Sequence, residues 1–245
     1  MGSKKDWFQK WFDSPYYHVL YRDRDEHEAE LFLRNLITKL DLKKGSEILD
    51  LACGKGRHSI FLEKQGFTVT GLDISEKSIA FAKKNENPSL SFFVHDMRKP
   101  FRINFFDCVL NLFTSFAYFE NIKENQQVLQ HAKDNLKKGG VFILDFMNAS
   151  YVIEHLCHEG MKTVEGIDFK IEKKVVDGFI LKKISFTDKG NEFTYTERVQ
   201  AIHFNELKHL VEGAGLKVIH LWGDYELNDF NENTSSRLII AAIKE

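Results

Sequence analysis

The chain has 245 residues, 43% of them hydrophobic and 13% aromatic, with a formal net charge of −2. That is enough apolar chain for one large domain, and the near-neutral balance gives no general attraction to nucleic acid or to an anionic membrane. Three scattered cysteines, Cys53, Cys108 and Cys157, form no CxxC pair, so neither a zinc site, a disulfide framework nor a cysteine-held iron–sulfur cluster is indicated.

The opening "MGSKKDWFQKWF" lacks the apolar core of a signal peptide, and no run approaches the roughly 20 apolar residues of a membrane span. The expectation is a soluble, cytoplasmic protein. Residues 7–40 have an amphipathic helical pattern, with Leu31, Leu33, Leu36, Ile37 and Leu40 near one stripe and Lys44-Gly45 as the stop. "SEILDLA" is a short buried strand, "RHSIFLEKQG" a helix closed by Gly66, and "FTVTGLD" a second strand. Ser75 caps the helix "SEKSIAFAKKNEN". "LSFFVHD" and "FDCVLNLF" are the third and fourth strands. A helix over "NIKENQQVLQHAKDNLKKGG" stops at its glycines, and "VFILDF" is the fifth strand. Short apolar strands alternating with helices predict a parallel sheet covered on both faces.

The pattern then changes. Residues 167–202 hold three strand-like runs, with hairpin turns at Asp177-Gly178 and at Lys189-Gly190-Asn191, so an antiparallel insert is expected. "FNELKHLVEGAG" returns to helix, and "LKVIHLW" and "RLIIAAIKE" to strand.

The stretch "ILDLACGKGRHS" is a glycine turn between strand and helix, where backbone N–H groups face a polar or anionic ligand. A nicotinamide site prefers a third glycine where Ser59 stands, and the phosphate-loop pattern GxxxxGK[ST] is absent. The run is D-x-A-C-G-x-G, with Asp50, Ala52, Gly54 and Gly56, followed by Arg57. A carboxylate at Asp50 suits the ammonium of an amino-acid ligand, which a dinucleotide does not offer. Asp73, followed by Ile74, ends the second strand about 20 residues on, where an acidic side chain accepts ribose hydroxyls. Asp96 is placed to accept from an adenine amino group, with Met97 against the ring. Asn111-Leu112 end the fourth strand at the same carboxyl edge.

In this order the motifs resemble those of the class I S-adenosylmethionine (SAM)-dependent methyltransferases. "LDLACGKGRHS" looks like their first motif, "GLDIS" like the ribose motif, "HDMRKPF" like the adenine motif, and "FDCVLNLFTSFAYF" and "LKKGGVFILDF" like the segments of strands four and five. Within the class, "YHVLYRDRDEHEAE", "DMR" and "FTSFAYF" are similar to small-molecule enzymes with a β insert after strand five, including those acting on the amino group of nucleotide-linked sugars. The resemblance implies SAM as cofactor and places Tyr17 and Tyr21 over its methionine end. The sequence departs from the [DNS]PP[YFW] pattern of DNA-amine enzymes, from the Pro-Cys of cytosine C5 enzymes, and from the magnesium cluster of catechol enzymes. Asp145 is read as a structural end to the fifth strand.

Candidates on the acceptor side come from alternation. In "EFTYTERVQA", Phe193, Tyr195, Val199 and Ala201 share a face with Glu197, a carboxylate that needs a partner there. Glu197 is a candidate for catalysis or substrate binding; the alternatives are a surface-edge Glu, or one paired with a nearby Lys. His203 is a candidate base or a structural helix-start residue. Tyr16, Tyr195 and Phe116 are candidates to close the substrate pocket. The expected architecture is a Rossmann-like, seven-stranded, mostly parallel sheet with an antiparallel last strand. It forms a single domain over 1–245: a helical cap at 1–44, a SAM-binding core at 45–150, a β insert or lid at 151–202, and the rest of the core at 203–245. The expected function is direct in-line transfer of a methyl group from SAM to a nitrogen or oxygen of a small molecule. No nucleic acid, membrane or metal is involved in this reading, and the assembly is a monomer or homodimer. The alternatives are a non-catalytic SAM-binding sensor or partner subunit, and an RNA- or protein-directed methyltransferase.

Overall fold

A computed structural model describes residues 7–22 and 26–245. The opening six residues of the cap, and residues 23–25 within "YHVLYRDRDEHEAE", lie outside the described residues. The single N-terminal helical stretch expected over 7–40 is three helices: α1 (Trp7–Phe12), α2 (Pro15–Leu20) and α3 (Glu26–Lys39). The break has a local cause. Ser14 caps α2 by accepting from the Tyr16 N–H, and Pro15 takes the first helical position, where its missing N–H costs nothing. The buried stripe of α3 is Ala29, Phe32, Leu33 and Leu36, and Leu31 points outward at 40% exposure, a one-residue rotation from the expected face.

The core follows the alternation read from sequence. After β1 (Glu47–Leu51) come α4 (Arg57–Lys64), β2 (Thr68–Asp73), α5 (Glu76–Ala82), β3 (Leu90–Val94), β4 (Phe106–Asn111), α6 (Ile122–Asn135) and β5 (Leu136–Met147). A short helix α7 (Ala149–Glu154) leads into β6 (Glu159–Val164), β7 (Ile167–Val176), β8 (Phe179–Asp188) and β9 (Asn191–Gln200). The chain returns through α8 (Phe204–Gly213), β10 (Lys217–Trp222) and β11 (Arg237–Ile243). The main sheet has the order β10-β11-β5-β4-β1-β2-β3, and β11 runs antiparallel to both its neighbours. This is the Rossmann-like, mostly parallel sheet with one reversed strand. Two apolar layers, one on each face, bury its strands.

Two expectations need correction. Gly139-Gly140 do not stop α6. The helix ends at Asn135, and the glycines lie inside the strand, where β5 slips register against β4 between Leu136 and Val141. A Cβ on Gly140 would meet the Asp107 carbonyl at 3.1 Å, so the glycine serves this bulge. The insert has four strands rather than three, because β6 pairs antiparallel with β7. Its turns, Glu165-Gly166, Asp177-Gly178 and Lys189-Gly190, each span two residues with positive φ at both, the hairpin geometry that glycine favours. The first of these carries the same X-Gly signature and marks the strand that the sequence reading passed over.

One aromatic ring fixes the glycine loop. Phe92 is fully buried against Gly56 and Gly71, and a Cβ on either glycine would come within 2.6 Å or 2.5 Å of its ring. Gly56 also caps α4 in the left-handed conformation, φ 84°.

Candidate active site

A cavity of about 540 Å³ opens at the carboxyl ends of the parallel strands. The loop after β1 has positive φ at Ala52, Gly54 and Gly56 alternating with ordinary residues, so it forms a concave run of backbone amides. A Cβ built on Gly54 meets no atom within 4 Å, so a side chain there would enter the open cavity. Asp73 fixes this loop by accepting from the Gly54 N–H at 2.8 Å and the Ser75 N–H at 2.7 Å. Ser75 in turn caps α5, as expected, and donates to Asp13 of the cap at 2.5 Å.

Asp50 is 1% exposed and still lines the cavity. It accepts from the Ser59 hydroxyl at 2.6 Å, so the two residues that set the loop apart from a dinucleotide motif are bonded to each other. Burial raises the Asp50 carboxyl to about 7, with the Ser59 bond opposing that rise. Burial likewise raises Asp73, against the two amide bonds it accepts. Burial would also raise Asp96, but hydrogen bonds from Arg98 outweigh it and hold that carboxylate below its ordinary value. His18, which also lines the cavity, is pushed down to about 4 by burial and by Lys55.

Most of the expected cofactor residues line this one cavity: Tyr17, Tyr21, Asp50, Ala52, Gly54, Arg57, Asp73, Ile74, Asp96, Met97 and Leu112. Two do not. Gly56 lies behind the loop against Phe92, and Asn111 is fully buried, its amide nitrogen 3.4 Å from the Ser115 carbonyl. The donor set fits SAM. The buried Asp50 carboxylate faces the cavity, Asp73 stands beside the amide loop, and Asp96 and Met97 line the same space.

A second chamber of about 330 Å³ adjoins the first and shares Phe12, Tyr17, Tyr21, Phe113 and Tyr118 with it. Its remaining wall comes from distant segments and joins Trp7 and Val199 to a polar set: Glu28, Thr114, Lys182, Glu197, Tyr225 and Arg237. Glu197 Oε1 accepts from Trp11 Nε1 at 2.7 Å and from the Tyr21 hydroxyl at 2.5 Å. Its Oε2 lies 3.6 Å from Lys182 Nζ, and Lys182 also donates to the Tyr21 hydroxyl and rests over that ring. On the other side Arg237 is ion-paired with the fully buried Asp145 and donates to Thr114 Oγ1 at 3.0 Å. The Asp145 carboxylate also accepts from the Phe113 N–H at 2.7 Å, so it fixes a turn in which Phe113 and Thr114 both have positive φ.

Four acceptor-side expectations are corrected. Phe116 is fully buried against Phe146 and lines neither space. Tyr16 is turned into the insert, donating to Asp188 and packed on Phe186 and Phe193. Tyr195 packs on Trp11 at 4.4 Å and anchors the cap there. His203 is exposed at the start of α8, 3.0 Å from Ser150 Oγ, away from both spaces. Glu197 lines the second chamber and has the lysine partner weighed for it. Lys182, Arg237 and Phe113 were missed. Only Arg237 had a local cue, a lone cation opening an otherwise apolar strand.

Residues 48–140 match the family model described as a methyltransferase domain. The chain is a SAM-dependent methyltransferase. The enzyme is similar to a glycine/sarcosine N-methyltransferase of Parasynechococcus marenigrum (strain WH8102), at 28% identity over 83% of this chain and 73% of the relative. Its fold is similar to an S-adenosylmethionine-dependent methyltransferase from Clostridium acetobutylicum ATCC 824, with a TM-score of 0.78 at 18% identity over 94% and 96% of the two chains. It is also similar to CalS10, an amino pentose methyltransferase from Micromonospora echinaspora solved with SAM bound, with a TM-score of 0.70 at 19% identity over 95% and 98%. SAM is the cofactor of this enzyme. Among the described residues no helix is long and apolar enough to cross a membrane, and no cluster of three His, Cys, Asp or Glu side chains could hold a metal ion.

Proposed function

We propose that the enzyme methylates a nitrogen or oxygen of a small molecule held in the 330 Å³ chamber. The observation that carries this reading is the shared wall. Tyr17, Tyr21, Phe113, Phe12 and Tyr118 belong to both spaces, so a molecule in one abuts a molecule in the other. SAM, when bound, supplies a methyl group on a good leaving group, and the protein's task is to align the acceptor. Orientation of that kind can supply roughly 7–11 kcal/mol in favourable cases. Asp50 would receive the cofactor's ammonium, Asp73 its ribose hydroxyls, and Asp96 with Met97 its adenine. Glu197 and Arg237 face the acceptor in that chamber. A chamber of this size, lined on one side by aromatic rings, suits a metabolite rather than a nucleic acid or a folded protein.

The test is calorimetric binding of SAM, S-adenosylhomocysteine and NAD, followed by product detection over a panel of amines and alcohols. Saturable SAM binding that is lost in Asp73→Ala and Gly54→Val, with both variants folded, supports the site. Binding of NAD alone, or SAM affinity retained in both variants, overturns it.

A further inference from the structure

The second chamber also distinguishes nitrogen from oxygen as the methylated atom, an inference that rests on the function proposed above. Glu197 is held from three sides. Trp11 and Tyr21 saturate Oε1, and Lys182 stands beside Oε2 at 3.6 Å, beyond a hydrogen bond. Each tether comes from a different part of the fold: α1, the residue that ends α2, and β8, across the ladder from Glu197 on β9. The side chain therefore has one fixed orientation. Oε2 keeps an acceptor position facing a chamber that Glu197 itself lines.

A carboxylate held this way suits one task and not another. It receives an N–H of an amine or ammonium well, because the charge is fixed and the geometry preset. A hydroxyl must lose its proton to attack, whereas a neutral amine attacks through a lone pair that is already free, so a hydrogen-bond acceptor that only orients the nucleophile suffices for the amine. Among the described residues no histidine lines the chamber. Its other carboxylate, Glu28, lies in the field of the Arg237 guanidinium. We propose that Glu197 Oε2 accepts one N–H of a neutral amine acceptor, with Trp11, Tyr21 and Lys182 as positioning residues, so that the amine lone pair forms the new C–N bond as the methyl–sulfur bond of SAM breaks, S-adenosylhomocysteine leaves, and the surplus N–H proton passes to solvent.

The test uses matched pairs on the intact enzyme saturated with S-adenosylhomocysteine: glycine and glycolate, D-glucosamine and D-glucose, benzylamine and benzyl alcohol. Calorimetry is expected to show at least one amine binding about tenfold to a hundredfold tighter than its hydroxyl twin, the range of one charge-assisted hydrogen bond. Glu197→Gln should remove that preference. Lys182→Met should lose most of it and Lys182→Arg restore it, while affinity for S-adenosylhomocysteine stays within about twofold throughout. With SAM in place of the product, mass spectrometry should find the methyl group on nitrogen. Equal affinity of the twins, including no binding by any, overturns the proposal, as does methylation on oxygen or an amine preference that survives Glu197→Gln. Failure of S-adenosylhomocysteine itself to bind overturns the underlying function instead.

Discussion

The two halves of the active site are built by opposite means. The floor of the cofactor cavity is made by consecutive strand ends of one parallel sheet, with cap residues such as Tyr17 and Tyr21 over it, and the key contacts of that floor are backbone geometry: three left-handed residues in one loop and two amides held by Asp73. The acceptor chamber is made by side chains that meet only through tertiary packing, from the cap, the turn after β4, the insert and the last strand. A backbone-built site tolerates little change and serves one ligand. A side-chain-built site can be rewritten position by position, so one fold serves many acceptors.

The largest expected effect separates the glycines of the loop. Gly56→Val drives a branched side chain into Phe92 from a left-handed position, and both faults are buried. It should cost more than about 4 kcal/mol and leave little folded protein by calorimetry or circular dichroism. Gly54→Val faces open space and carries only backbone strain, of about 1–2 kcal/mol. It should melt a few degrees lower and bind no SAM. Similar losses of folding in both would mean that the loop is merely tight packing.

On the acceptor side the equivalent weight rests on Arg237. Arg237→Met leaves the Asp145 carboxylate buried without its ion partner, which costs about 3–5 kcal/mol. Asp145 also holds the Phe113 N–H, so the strained turn between the two spaces should loosen. Adding Asp145→Asn should recover part of the melting temperature without restoring the turn. Full stability in the single variant would show that the pair is not structural.

The difference between the halves also explains what the sequence revealed. Gly54, Asp50, Asp73, Asp96 and Met97 belong to local patterns at strand ends, so their spacing pointed to one cavity. The duplicated X-Gly turns made the insert visible for the same reason. Phe116, Tyr195 and His203 went wrong because an aromatic or a histidine near a site is equally a core or surface residue, and only packing decides. Lys182 was hidden for a further reason. It is one of a pair, Lys182-Lys183, and composition cannot say which member faces inward.

The cofactor half should also respond to pH. The Asp50 carboxyl is raised to about 7, above its unfolded value near 4. The stability this group contributes is therefore complete below about pH 4 and is lost as pH rises through 7. SAM affinity should run the other way. Its ammonium needs the ionised carboxylate, so affinity should climb up to about tenfold per unit below pH 7 and level off above it. Asp50→Asn should flatten both dependences. A SAM affinity independent of pH from 5 to 7 would mean that Asp50 does not meet the ammonium.

The smallest expected effect is the sharpest contrast. Lys182 and Lys183 are neighbours on β8, and alternation sends them to opposite faces. Lys182 is four-fifths covered and joins Glu197 and Tyr21. Lys183 is about half exposed and pairs with Glu172 on the outer face. An exposed pair gains little, because water screens the charges and two long side chains must be ordered to form it. Lys183→Met should therefore leave the melting temperature, SAM affinity and acceptor preference unchanged, while Lys182→Met erodes acceptor preference alone. If both substitutions weakened acceptor binding alike, the effect would come from the general positive charge of the insert rather than from the inward lysine, and the chamber would no longer need Glu197 held in one orientation.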